Sequence, residues 1–139
     1  MLDQEKVALI TDLEKSMRSF IRDFRRQLNE VLGENFTSSE FSFLRAISED
    51  KEQRVTSLAA LLNVSNSHAT SITDRLVEKE LITRERSTVD RRAVVLALSE
   101  KGEALFKALD QKRAAYMNER FEKLTKEEIR LMIDIFSRL

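Results

Sequence analysis

Apolar side chains recur at steps of three and four along the start of the chain, which predicts one amphipathic helix over residues 3–32. No proline or glycine interrupts the pattern before Gly33. A helix of about 30 residues is longer than most globular helices, so we expect part of its apolar face to pack against a partner. The apolar positions are Leu9, Ile10, Leu13, Met17, Phe20, Ile21, Phe24, Leu28, Val31 and Leu32.

Two shorter helices are predicted next. The stretch from Thr37 to Glu40 has the spacing of a capping box, so a helix should begin there and end in a solvated charged loop at residues 49–52. Thr56 is the next predicted N-cap, and its short helix should end at Asn63, because asparagine tolerates a left-handed backbone. The apolar stripes of these two helices are Phe41, Leu44 and Ile47, and Leu58, Ala59, Leu61 and Leu62.

Ser65 should cap a further helix over residues 66–80, with Ala69, Ile72 and Leu76 as its apolar stripe. The opposite face is rich in small hydrogen-bonding side chains instead of the Glu and Lys that favour surface helices. This composition indicates a face selected for polar contacts. Its residues are Asn66, Ser67, His68, Thr70, Ser71, Thr73, Asp74 and Arg75.

The last third of the chain predicts a hairpin and two helices. Runs over residues 81–86 and 93–98 look like strands, with a polar tip between them. Ser99 should cap a long helix over residues 100–121, in whose first turn Gly102 is expected to be harmless. Thr125 opens a second capping box and a terminal helix. The apolar positions of that terminal helix are Ile129, Met132, Ile133, Phe136 and Leu139.

Composition narrows the possible functions. The chain has 139 residues, which suits one domain, and it has no cysteine, two glycines and one histidine. These counts exclude disulfides and thiol chemistry and leave no support for a catalytic triad or a glycine-rich phosphate loop. No stretch is apolar for long enough to span a membrane, and the first residues do not resemble a signal peptide, so we expect a cytoplasmic protein. We expect no catalytic residue, metal or cofactor.

Charge distribution matters more than the net charge of zero. Residues 81–99 carry four arginines against two carboxylates, which leaves +2. Arginine is the side chain best suited to phosphates and to narrow minor grooves. Asp90 lies two residues before Arg92, where it can orient the guanidinium. The four arginines are Arg84, Arg86, Arg91 and Arg92.

Two short helices, a tight turn at residues 63–65, a polar-faced helix and an arginine-tipped hairpin together favour DNA reading, because the first helix can brace the second in a major groove. Residues 37–109 resemble the multiple antibiotic resistance regulator (MarR) family in the order and spacing of several blocks. The blocks are residues 55–65 (VTSLAALLNVS), 73–84 (TDRLVEKELITR), 90–92 (DRR) and 94–102 (VVLALSEKG). Two departures are Glu80, where the family usually has glycine, and residues 97–99, where its last two positions are usually Leu-Thr.

The resemblance implies a mostly α (α+β) winged helix-turn-helix that forms a homodimer. Residues 1–36 and 100–139 would be dimerisation helices and residues 37–99 the DNA-binding lobe. The family's wing motif, aspartate-any-arginine, falls on Asp90 and Arg92. Family members often bind small, frequently aromatic effectors, for which Phe20, Phe24, Phe41 and Tyr116 are the candidate lining residues.

We therefore predict a regulator, most often a repressor in this family, that binds a pseudo-palindromic site in double-stranded DNA. The predicted DNA contacts are Asn66, Ser67, His68, Thr70, Ser71, Arg75, Arg84, Arg86, Asp90, Arg91 and Arg92. Three alternatives stay open at this point. The first is that His68 is a metal ligand or a solvated imidazole instead of a DNA contact. The second is that the four arginines only keep the hairpin surface soluble. The third is that the winged helix binds a protein instead of DNA.

Overall fold

The computed structural model describes residues 2–139, and Met1 lies outside the described residues. The elements follow the predicted order: one long helix, three shorter helices, a hairpin and two further helices. Their boundaries lie within two residues of those expected from the pattern. Their bounds are α1 Gln4–Leu32, α2 Ser38–Glu49, α3 Val55–Leu61, α4 Asn66–Glu78, β1 Ile82–Arg86, β2 Val94–Leu98, α5 Glu100–Arg120 and α6 Lys126–Ser137. The predicted fold class, mostly helical with one small sheet, is confirmed.

Most helices begin at the predicted side-chain caps. The hydroxyl of Ser65 accepts from the His68 N–H at 3.1 Å, and that of Ser99 accepts from the Gly102 N–H at 2.9 Å. The box at Thr125 is complete in both directions. The predicted cap of α3 is wrong, because α3 begins one residue before Thr56 and its N-cap, Arg54, makes no side-chain cap bond.

The box predicted at Thr37 forms only in part. The Thr37 hydroxyl accepts from the Glu40 N–H at 3.1 Å, as expected. The Glu40 carboxylate does not return to the backbone of Thr37; it lies against the Thr37 hydroxyl and the ammonium of Lys79. The Glu40 carboxylate, which the local pattern predicted to cap the helix, therefore pairs with Lys79 instead.

The hydrophobic core lies in the middle of the chain. The face of α4 formed by Ala69, Ile72 and Leu76 is completely buried against α2 and α3, and the hairpin closes the core with Ile82 and Leu96. The core extends beyond the predicted lobe at both ends, into the last turn of α1 and the first half of α5. The residues that extend it are Leu32, Phe36, Leu105, Phe106 and Leu109.

The turn after α4 adopts, at a glutamate, a backbone conformation that usually requires glycine. Glu80 has φ +63°, in the left-handed region where glycine is normally found. The Glu80 N–H donates to the Val77 carbonyl at 2.9 Å, and the Leu81 N–H donates to the Leu76 carbonyl at 3.0 Å. These two bonds form a Schellman motif, closed by the buried side chains of Leu76 and Leu81. The chain leaves α4 in the usual way and accepts backbone strain at Glu80.

Gly102 lies in the first turn of α5 without interrupting the helix, as predicted, and the structure shows in addition that this position requires glycine. A Cβ atom at this position would lie 1.9 Å from the carbonyl oxygen of Leu81, closer than any real contact. That carbonyl also accepts from the Ser99 N–H at 3.0 Å. The start of α5 is therefore packed directly onto the backbone where α4 turns into β1, an approach that only glycine permits.

β1 and β2 form an antiparallel pair with Ile82 opposite Leu98 and Arg86 opposite Val94. The other edge of β2 is covered by the loop before α3, because the Leu96 N–H donates to the Gln53 carbonyl at 2.8 Å. The buried Gln53 side chain in turn donates to the Ala46 carbonyl at 3.2 Å. Gln53 thereby attaches this edge of the hairpin to α2.

α1 and α6 have a different character from this core. Within residues 2–139, α1 buries only Leu32 and α6 buries no residue at all. Both helices expose continuous apolar faces on the single chain. The exposed large apolar residues of these helices are Val7, Leu9, Ile10, Leu13, Met17, Phe20, Ile21, Ile129, Leu131, Met132, Ile133, Ile135 and Phe136.

Candidate nucleic-acid interface

The polar face of α4 is open to solvent along its length. The buried stripe on the opposite side fixes the rotation of the helix, so the predicted polar residues face outward together. Asn66, Ser67, His68, Thr70, Ser71 and Arg75 are all exposed. The inclusion of Thr73 in this face is wrong. Its side chain is fully buried, and its hydroxyl has no hydrogen-bond partner among the described residues.

α3 supports α4 from behind. Leu58 and Ala59 of α3 are buried against it, and the Val64 N–H closes the turn by donating to the Ala59 carbonyl at 3.0 Å. Asn63 has φ +54°, as its position at the end of the short helix predicts. The two helices and their tight turn form a helix-turn-helix, in which the outward face of the second helix is free to enter a groove.

The tip of the hairpin, residues 87–93, is held by one buried hydroxyl. Ser87 Oγ accepts from the N–H groups of Val89 and Asp90 at 3.1 and 3.0 Å. The same hydroxyl donates to the carboxylate of Glu52 at 2.5 Å. Glu52 was expected to be part of a solvated loop, but the structure makes it a bridge from that loop to the hairpin. Ser87 fits a turn signal in the sequence, whereas its partner 35 residues earlier has no local signal.

The wing arginines are placed in three different ways. The Arg92 side chain is 94% exposed at the tip. Asp90 accepts from the Arg92 backbone N–H at 3.0 Å, while its carboxylate is 3.7 Å from Arg92 Nε. Asp90 therefore fixes the backbone at Arg92 more tightly than it fixes the guanidinium. Arg86 donates across the loop to the Arg91 carbonyl at 2.8 Å, which braces the tip.

Arg84 joins the wing to α4. Its guanidinium is 2.5 Å from the carboxylate of Asp74, and both side chains are about half exposed. Arg75, one residue along α4, is also exposed. These contacts hold the strand and the helix at one relative position. The outward face of α4 and the wing are consequently joined through Arg84 and Asp74.

The four aromatic residues proposed for an effector lie in two groups. Phe20 stacks on Phe24 with ring centroids 5.5 Å apart, and Phe24 lies 5.8 Å from Tyr116. The Tyr116 hydroxyl donates to Gln27 at 2.7 Å. An open cavity of about 670 Å³ lies beside Tyr116 between α1 and the end of α5. Phe41 belongs to the second group, described next.

Phe41 stacks on Phe106 at 5.4 Å, between α2 and α5. The Arg45 guanidinium lies 5.0 Å from the centre of the Phe41 ring and also pairs with Asp110 at 2.8 Å. The Arg45 guanidinium therefore lies against both rings of the aromatic pair. The sequence showed that both groups were aromatic but could not show that they are separate.

The remaining possibilities for residues 2–139 are a metal site and a membrane-spanning helix. No group of three or more histidine or acidic side chains is close enough to hold a metal ion in this part of the chain, and His68 stands on α4 as an exposed residue. Over the same residues, none of the helices combines the length and the apolar character needed to cross a membrane.

The helix-turn-helix followed by a two-stranded wing defines the class of this protein as a winged helix. Comparison with known proteins identifies the family. Residues 36–94 match the MarR family. The chain is 37% identical over 134 residues to the uncharacterized HTH-type transcriptional regulator YpoP of Bacillus subtilis, covering 96% of this chain and 95% of that protein. This protein therefore belongs to the MarR family of transcription regulators and is not an enzyme.

The chain is also similar to two further proteins. The HTH-type transcriptional repressor MdtR of Bacillus subtilis is 27% identical, covering 87% of this chain and 79% of that protein. A variant of MarR from E. coli, solved in complex with operator DNA, superimposes with a TM-score of 0.80 at 24% identity, covering 93% of this chain and 94% of that chain. The second likeness concerns the fold alone.

Proposed function

We propose that this regulator binds a pseudo-palindromic operator in double-stranded DNA as a homodimer, through α4 in the major groove and the wing in the minor groove. One observation carries the proposal: the exposed face of α4 is made of small polar side chains, while its opposite face is completely buried. Such side chains can donate and accept hydrogen bonds at base edges without filling the groove. The wing arginines extend the same surface.

The dimer follows from the exposed apolar faces of α1 and α6. A single chain that leaves this much apolar surface in water is unfavourable, and a contiguous patch of this kind marks a contact with another protein. A second copy of the chain presents the same two faces and can bury them around a twofold axis. Residues 1–36 and 100–139 are thus proposed to form the dimer and residues 37–99 to read DNA.

The individual contacts divide by chemistry. Ser67, His68, Thr70 and Ser71 are proposed to face bases, with Asn66 at the start of the same surface. Arg92, whose guanidinium is almost fully exposed, is proposed to enter the minor groove, with Asp90 holding the backbone beneath it. The remaining arginines are proposed to meet phosphates, with Arg84 already oriented by Asp74. They are Arg75, Arg84, Arg86 and Arg91.

Repression in the cytoplasm is the proposed biological role, because MdtR is a repressor and the described helices include none that could span a membrane. A small effector is proposed to bind beside the cluster of Phe20, Phe24 and Tyr116, next to the open cavity. Such a ligand would act by binding unequally to DNA-competent and DNA-incompetent arrangements of the dimer. Phe41 is kept as a candidate lining residue on the other side of α5.

A protein-binding role for the winged helix is the alternative. It would favour apolar side chains on the outward face of α4, yet none of the large exposed apolar residues found among residues 2–139 lies between residues 66 and 78. The polar face therefore supports DNA as the ligand.

The test is a binding titration against the DNA upstream of the chain's own gene, with unrelated DNA of equal length as the control, at several salt concentrations. Tight binding to the first, weaker binding to the second and a steep loss of affinity with salt are expected. If the protein binds both DNAs equally and weakly, the next experiment is selection of binding sites from a random DNA library. If no sequence is enriched there, the proposal is wrong.

A further inference from the structure

Lys79, the residue that ends α4, ties the proposed recognition helix to the segment that joins α1 to α2. Its ammonium lies 2.7 Å from the carboxylate of Glu40 and 2.9 Å from the carbonyl of Asn35. The same group is 5.7 Å from the centre of the Phe36 ring. Three separate contacts therefore hold the ammonium of the residue that caps α4 against the segment between α1 and α2 and against the first turn of α2.

The same point of α4 is also attached to α5. The Lys101 ammonium donates to the Lys79 carbonyl at 3.2 Å. The end of α4 thus makes polar contacts with the segment that follows α1 and with the first turn of α5, which belong to the two regions proposed to form the dimer. The exposed residues of α4 point the other way, toward the proposed DNA.

Stability alone does not account for a buried carboxylate at this place. The Glu40 side chain is only 3% exposed, and removing a carboxylate from water is costly even when it is paired. Apolar side chains of similar volume can hold such a position as well or better. What an ion pair adds is direction, because the ammonium is favourable only where it meets the carboxylate and the Asn35 carbonyl together.

We propose that Lys79 and Glu40 are a positioning pair that sets the separation of the two recognition helices in the dimer, and thereby the half-site spacing that the protein accepts. The inference rests on the proposed function. Each base pair added between half-sites moves them about 3.4 Å apart and turns them by roughly 36°. A small change in the angle between α4 and α1 is therefore enough to alter which spacing fits.

The test uses the full-length double variant Glu40→Gln/Lys79→Met, which removes both charges at once. It leaves no unpaired buried charge and keeps the net charge, so general attraction to DNA is unchanged. An operator selected by the wild type is rebuilt with one or two base pairs inserted or removed between its half-sites. The wild type is expected to lose about tenfold or more in affinity per altered operator, and the double variant less than about threefold.

Three controls separate positioning from folding. Circular dichroism first checks helicity, and Glu40→Gln alone replaces the double variant if the latter does not fold, with relaxed spacing still expected. Lys79→Arg keeps a cation facing Glu40 and should keep the wild-type preference. Glu78→Gln/Lys107→Met removes one charge of each sign from exposed positions and should also keep it.

A second measurement avoids DNA altogether. The chain has no cysteine, so Arg75→Cys provides one spin label on each α4 of the dimer. The distance distribution between the labels should be narrow in the otherwise wild-type chain and broader in the double variant. Unchanged spacing preference and an unchanged distribution in the double variant would overturn the positioning role. Failure of the wild type to select any operator would instead overturn the proposed function.

Discussion

Two regions of the molecule expose large surfaces of opposite chemistry. One is the lobe formed by α2, α3, α4 and the hairpin; the other is the pair of helices α1 and α6. The lobe buries its apolar residues within one chain and exposes small polar side chains and arginines. α1 and α6 expose most of their apolar residues. A polar face can stay in water until DNA arrives, whereas an apolar face needs a permanent partner. The lobe is therefore built around a core that a single chain completes, whereas α1 and α6 depend on a second copy.

The largest expected effect breaks the apolar side of this comparison. Leu13 is 57% exposed on α1, and Leu13→Glu would place a charge in the proposed dimer interface. We expect monomers by analytical ultracentrifugation and a loss of operator affinity of about 100- to 10,000-fold, since each lobe then binds alone. Lys15→Glu puts the same side chain on another face of α1 and should leave the dimer intact. A dimeric Leu13→Glu protein would show that α1 is not in the interface.

The next effect breaks the lobe from within. Gly102→Ala would force a methyl group into the carbonyl of Leu81, so α5 or the turn after α4 must move. We expect the free energy of unfolding to fall by about 3 kcal/mol in chemical denaturation. Glu103→Ala, at an exposed position of the same helical turn, should change it by less than about 0.5 kcal/mol. Equal stability of the two variants would contradict the close approach.

A smaller effect tests the polar surface without altering the hydrophobic core or the proposed dimer interface. Arg92→Ala should weaken operator binding by about tenfold, because it removes the exposed guanidinium that we propose to enter the minor groove. Helicity and dimerisation should not change, as measured by circular dichroism and ultracentrifugation. Lys107→Ala removes an exposed cation from α5 and serves as the control. Wild-type affinity of Arg92→Ala would remove the wing from the proposed interface.

The smallest effect sharpens the account of the turn after α4. Glu80→Gly should raise the free energy of unfolding by about 1 kcal/mol, because glycine adopts φ +63° without steric cost. Glu78→Gly, two residues earlier and inside α4, should lower it by about 1 kcal/mol. Thermal and chemical denaturation compare the two variants directly. A decrease in both would mean that Glu80 contributes something beyond the turn.

Local patterns in the sequence were enough for the elements, most caps and the polar face of α4. Helical periodicity and N-cap chemistry act over three or four neighbours, so α4 and its cap at Ser65 could be predicted without a structure. The limits of such patterns appear at Thr73. It lies among polar neighbours in sequence, but the rotation of the packed helix buries it completely.

The features that local patterns missed depend on partners that lie far apart in the chain. Glu40 meets Lys79 across 39 residues, Glu52 meets Ser87 across 35, and Gly102 meets the carbonyl of Leu81. None of these contacts has a local signal, because each depends on which faces pack together and at what distance. Local sequence is sufficient to specify the helices, the turns and the chemistry of the α4 face. Packing decided how that face is held, since only close approach in three dimensions brings those groups within reach of one another.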